Sequence, residues 1–191
     1  MKKIIFILLI LINISTTLTM EQGNMSLFNE NEFLYNVTKV KVEEYDKIFR
    51  EQIQIPYEEQ KLLYDICESY SVNYYEALSI YMVENESFNQ ELKHLNKNGT
   101  YDWGDFQIND INHKELIELG YIEKSSDLLI RKNNFNSAIF LISKLNKYSG
   151  HKKYMAYNMG IGGMKKAISD GITSTIYSKK AMTNYKKLKG R

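Results

Sequence analysis

Between Tyr57 and Leu188, apolar residues recur at helical spacing in one segment after another, each closed by a turn or breaker, and no stretch alternates in the two-residue period of a strand. Leu62, Leu63, Ile66 and Tyr70 make one such stripe, entered through Pro56, a residue suited to the first helical position. Asn73 is placed to cap a second helix, Tyr74 to about Asn85, with Ala77, Leu78, Tyr81 and Met82 inward. Asn96-Lys97-Asn98-Gly99 reads as a turn, so Lys93 to Asp110 is expected to be a short hairpin or loop. His113 to Leu119 is a short helix ended by Gly120, and Phe135 to Leu145 a buried one. Lys152 to Asn158 is expected to stop at the glycines 160, 162 and 163, and Ser174 to open a last helix. The fold class is mainly α.

The 191 residues suffice for one medium domain with a core of its own. The N-terminus stands apart. Lys2 and Lys3 precede an apolar run, Ile4–Ile12, followed by the polar stretch Asn13–Thr19, which is the order of a secretory signal. That run is shorter than the roughly 20 apolar residues of a membrane span. Residues 1–20 are therefore expected to be a signal peptide or N-terminal anchor, 21–55 a polar spacer with at most a short helix from Val42 to Ile53, and 56–191 the functional domain. The expected location is extracytoplasmic.

The lone Cys67 rules out an intramolecular disulfide and fits a buried, inert thiol. His94, His113 and His151 lack metal-ligand spacing, so no metal and no cofactor is expected. Net charge is +2, unevenly spread: residues 144–191 hold 12 Lys or Arg against the single acid Asp170. For an exported chain that suggests anionic wall polymers or lipid headgroups rather than nucleic acid, a plain solvated lysine-rich helix being the alternative.

One carboxylate stands out. Leu78, Met82 and Glu86 are spaced i, i+4, i+8, which places Glu86 on the inward stripe at the helix end and turns Glu84 toward solvent. A carboxyl so placed is partly desolvated, its pKa rises, and it can serve as a general acid; the alternative is a surface glutamate at a frayed terminus.

Three segments around it bear a resemblance. Val83-Glu84-Asn85-Glu86-Ser87-Phe88-Asn89, then Asn96 to Asn109 with Trp103-Gly104-Asp105-Phe106-Gln107-Ile108, then Ala156-Tyr157-Asn158-Met159-Gly160 resemble in order the signatures of the soluble lytic transglycosylase domain. That family reads Glu-Ser-x-Phe, Gly-Leu-Met-Gln-Ile and Ala-Tyr-Asn-x-Gly. The Asn-Gly-Thr-Tyr-Asp lead-in is most similar to the subgroup that accompanies secretion and conjugation machines. Asn134–Leu145 and Thr175-Ile176-Tyr177 are similar to the helices that come after, so the resemblance spans about residues 56 to 188.

The resemblance implies a lysozyme-like helical domain with a hairpin beside a cleft for peptidoglycan glycan strands. It implies cleavage of the bond between N-acetylmuramic acid and N-acetylglucosamine with formation of 1,6-anhydromuramoyl ends, Glu86 acting as acid and base. Ser87, Gln107, Tyr157 and Asn158 match substrate-binding positions, and a secretion, conjugation or phage apparatus is the implied partner. Asp105 and Phe106 stand where the family has Leu and Met. Asp105 either orients a water, turning the reaction toward muramidase hydrolysis, or faces solvent. A hydrolytic lysozyme and a non-catalytic wall-binding assembly protein are the competing functions.

Overall fold

A computed structural model describes the backbone of residues 30–190 and the side chains from Tyr35 to Gly190. The expected signal, residues 1–20, lies outside them, and no described helix is long and apolar enough to cross a membrane. The chain divides into two units, Met1–Tyr45 and Asp46–Arg191. Of the first, the described part is helical and begins α1 (Glu30–Ile48), whose Tyr35 and Val40 are exposed. The short helix expected from Val42 to Ile53 is thus a 19-residue helix that starts earlier and ends sooner.

The second unit is mainly α. Its elements are α2 (Tyr57–Ser69), α3 (Tyr74–Glu84), strands β1 (Lys93–Leu95), β2 (Tyr101–Trp103) and β3 (Ile108–Asn109), then α4 (His113–Glu118), α5 (Arg131–Ser143), α6 (His151–Ser169) and α7 (Ile176–Lys189). Two short 3₁₀ turns, Asp110–Asn112 and Ser125–Leu129, flank α4. The strands form an antiparallel sheet in the order β1-β2-β3, with Lys93 opposite Trp103 and Trp103 opposite Ile108.

Helix α3 is the axis of this unit. Asn73 caps it by accepting from the Glu76 N–H at 3.1 Å, satisfying one of the donors a helix start leaves open. Ala77, Leu78, Ser79, Ile80 and Tyr81 are all without exposed surface, so the helix is buried on every side rather than along one stripe. α7 packs along it and against α6, and α2 packs on both α3 and α5.

The unit begins earlier than the sequence implied. Ile48, Ile53 and Ile55, expected in the spacer, are core residues. The buried Gln60 amide fastens that segment: its Oε1 accepts from the Arg50 N–H at 2.8 Å and its Nε2 reaches the Ile55 carbonyl at 3.1 Å. Arg50 in turn donates to the Leu188 carbonyl near the end of α7.

Two glycines shape the functional end. α6 runs through the three glycines expected to stop it, but breaks its helical geometry at Gly160, with φ 74° and ψ 164°. Gly104, in the β2–β3 turn, has φ 67°, and a β-carbon there would lie 2.3 Å from the Leu128 carbonyl and 2.4 Å from Asn134 Nδ2. Asn134 needs that space: its amide donates to the carbonyls of Trp103 and Leu128 and accepts from the Phe106 N–H, clamping the hairpin to α5. Gly104→Ala therefore combines a disfavoured φ with a clash against backbone, and is expected to lower folding stability by about 2 kcal/mol or more, read as a lower urea midpoint.

Candidate active site

The structure reverses the two glutamates. α3 ends at Glu84, and Asn85, with φ −134° and ψ 71°, leaves the helix. Glu86 therefore never occupies the i+8 position of the stripe. Its side chain is 72% exposed, and its one carboxylate contact is to Lys180 Nζ at 3.2 Å. Glu84 comes four residues after Ile80 and three after Tyr81, both fully buried, and shares their sides of the helix. The expectation of a desolvated Glu86 and a solvent-facing Glu84 does not hold. It presupposed a one-sided α3, whereas the body of the helix has no polar face.

Glu84 has a built environment. The residue as a whole is half-buried, and its carboxyl is turned to the enclosed side. There Tyr177, in the first turn of α7, donates its hydroxyl to Glu84 Oε1 at 2.5 Å. Burial pushes the carboxyl up to about 7; the Tyr177 hydrogen bond pulls against that, and the negative field of Asp102 adds to it. Asp102 lies on β2, where Asn109 Nδ2 donates to its Oδ1 at 2.6 Å. Tyr157 reaches the same region from α6, with its hydroxyl donated to the Phe106 carbonyl at 2.8 Å. Burial above all holds the Tyr157 and Tyr177 phenols well above their ordinary range; the charge of Glu84 comes next for both, and Asp102 also acts on Tyr157. Both phenols therefore stay neutral donors. α3, α6, α7 and the hairpin thus converge on one carboxyl that is partly protonated near neutral pH.

The other expected site residues are spread out. Gln107 adopts a left-handed conformation, φ 46°, and spends its amide on the Gly104 carbonyl at 2.8 Å and the Leu92 carbonyl at 3.2 Å, holding the hairpin turn. Ser87 is exposed and donates to Asn85 Oδ1. Asn158 is exposed, two residues before the Gly160 break. Of the five residues named from the sequence, Tyr157 alone has its electrostatics tied to Glu84.

Asp105 is neither of the things expected of it. It has no exposed surface. Its carboxylate accepts from the Tyr81 hydroxyl at 3.1 Å, Asn85 Nδ2 at 3.2 Å and Arg131 Nε at 3.0 Å, while Arg131 also pairs with Glu59. Buried and held by three side chains, it faces no solvent. Asp105→Leu would leave the 14%-exposed Arg131 with Glu59 as its one carboxylate partner, and is expected to destabilise the fold by about 3 kcal/mol or more rather than to change the product.

Two open grooves flank these elements, and Glu84 lines neither. One, of about 890 Å³, lies between α2, the β1 entry and the start of α5, with Glu59, Lys93 and Arg131 on its walls. The other, of about 520 Å³, lies between the end of α3 and α7. No group of His, Cys, Asp and Glu among the described residues is arranged to hold a metal ion.

Searches against protein families, curated proteins and solved structures find no match to this chain.

Sequence reasoning missed Glu84, Asp102 and Tyr177 as a group. A signal for the first was present, since Tyr74–Val83 contains only Glu76 and Ser79 as polar positions other than tyrosine hydroxyls. Such a helix is buried all round, and its terminal carboxyl is desolvated whichever way it points. The burial can be tested through stability. A carboxyl whose pKa is raised by folding stabilises the fold fully below its unfolded value of about 4.3, and that contribution is lost as pH rises through about 7. Glu84→Gln, neutral throughout, is expected to unfold at a higher urea midpoint than wild type at pH 8 and at an equal one at pH 4.

Proposed function

We propose that this chain cleaves peptidoglycan glycan strands as a lytic transglycosylase on a lysozyme-like helical domain, with Glu84 as its acid and base. The observation that carries the reading is the Glu84 carboxyl, enclosed at the end of α3, hydrogen-bonded by Tyr177 and raised to about 7. A general acid works best with a pKa near the operating pH, and most surface carboxyls miss that by about three units. The sequence signatures supply the substrate class.

They accommodate Glu84 as readily as Glu86. The family spacing is Glu-Ser-x-Phe; Glu86-Ser87-Phe88 is one residue short of it, and Glu84-Asn85-Glu86-Ser87-Phe88 one residue long. Phe88 takes a left-handed φ of 55° at the end of this segment.

In the proposed reaction Glu84 gives its proton to the glycosidic oxygen as the bond to the muramoyl C1 breaks. The resulting carboxylate then takes the proton of the C6 hydroxyl, whose oxygen closes on C1 as the anhydro ring. The hydroxyl is carried by the reacting sugar, so it competes with water at high effective concentration. Tyr177 keeps the carboxyl oriented, and Tyr157 holds the Phe106 carbonyl of the hairpin turn.

A hydrolytic muramidase is the second reading, and Asp102 is the observation that favours it. Hydrolysis by acid and base uses two carboxyls flanking the scissile bond, and Asp102 is the carboxylate whose charge Glu84 feels. The product separates the two: anhydromuramoyl ends support the transglycosylase, while borohydride-reducible muramic ends made by wild type and lost in Asp102→Asn support the hydrolase. A wall-binding assembly protein without activity would yield neither.

The acid itself is tested by a pair of variants. Glu84→Gln is expected to lower wall lysis by roughly 10²-fold or more, since it cannot donate and recover a proton, while Glu86→Gln stays within about twofold of wild type. The wild-type rate is expected to hold steady on the acid side of neutrality and to fall as pH rises through about 7, when Glu84 loses its proton.

A further inference from the structure

The groove of about 520 Å³ between α3 and α7 is unused by the chemistry just described. It is lined by Met82, Val83 and Ile176, the last 80% exposed, and by Lys179, Lys180 and Lys187 of α7. Glu86 is its one acid and is paired with Lys180. Lys179 and Lys187 have no carboxylate partner among the described residues. An exposed isoleucine and two half-buried apolar side chains beside two ammonium groups without a carboxylate partner suit a ligand that carries both apolar and anionic groups.

The groove adjoins the acid. Met82 and Val83 directly precede Glu84, and Ile176 directly precedes Tyr177, whose hydroxyl holds the Glu84 carboxyl. The groove is thus built on residues adjacent in sequence to the proposed acid and to the tyrosine that holds it. On a peptidoglycan strand the group that combines small apolar side chains with free carboxylates, and that branches from the muramoyl sugar itself, is the peptide stem. We propose that the α3–α7 groove binds the carboxylate-bearing peptide stem of the sugar being cleaved, Lys179 and Lys187 receiving its carboxylates and Ile176 its apolar side chains. The inference rests on the proposed glycan-cleaving activity for its substrate.

The test uses the full chain and two substrates: glycan strands with their peptides, and the same strands stripped by an amidase. Wild type is expected to cleave the peptide-bearing strands with the lower KM. Replacing Lys179, Lys180 and Lys187 together by Gln is expected to raise that KM by about 3- to 10-fold, the size of two or three exposed ion pairs, and to leave the stripped strands within about twofold. Replacing the same three by Arg keeps the charge and is expected to keep the preference. Equal cleavage of both substrates by wild type, or an equal loss on both in the Gln variant, would overturn the proposal. If wild type cleaves neither, the activity is wrong, and the groove is then judged by titrating free stem peptide: binding that is lost in the Gln variant sustains it, and no binding overturns it. Polyglycerol phosphate is the competitor to include; if it binds through these lysines and the stem peptide does not, the groove belongs to an anionic wall polymer and the proposal fails.

Discussion

The carboxylate of Asp105 has no exposed surface, and four elements depend on it. Through Tyr81 and Asn85 it holds the body and the last cap of α3; through Arg131 it holds the start of α5; and through Arg131 and Glu59 it reaches α2. Asp105 itself sits in the β2–β3 turn, so this one charge pins the hairpin against the helix end from which Glu84 projects. Buried charges are costly unless their lone pairs are used, and here three donors meet one carboxylate. The arrangement fixes where the helix stops. Asn85 is turned out of α3 to reach Asp105 and Asn89, and that departure makes Glu84 the last helical residue.

The consequence for Glu84 is electrostatic. A helix end surrounded by core leaves its terminal carboxyl short of water, and the neutral form gains. Tyr177 offers one hydrogen bond in compensation, enough to orient the group without restoring an ordinary acid. Tyr157 and Asp102 complete a small enclosure in which groups from α3, α6, α7 and β2 surround one titrating carboxyl. Glu86, two residues on, lies outside it, in solvent against Lys180.

The helices were legible in the sequence because their apolar residues repeat at helical spacing, and the Asn73 cap and the Gly120 terminator fell where expected. The position of the acid was not, for a definite reason. A stripe argument assigns faces only when a helix has a polar side, and the body of α3 has none. The extent of α6 was missed because three glycines read as a stop, whereas the helix resumes after one broken residue at Gly160. The core role of Ile48, Ile53 and Ile55 depends on Gln60, whose amide gathers carbonyls from a segment that shows no period of its own. Asp105 read as an anomaly because its partners, Tyr81 and Arg131, are distant along the chain.

Whether Glu84 rather than Glu86 carries the raised carboxyl is measured most directly by carbon-detected NMR of the side-chain carboxyls across pH. The variants Glu84→Gln and Glu86→Gln assign the two resonances. A midpoint near 7 is expected, well above the ordinary glutamate value of about 4.3; it should vanish in Glu84→Gln and persist in Glu86→Gln. A Glu84 midpoint at the ordinary value, or a raised midpoint that vanishes in Glu86→Gln, would contradict the assignment.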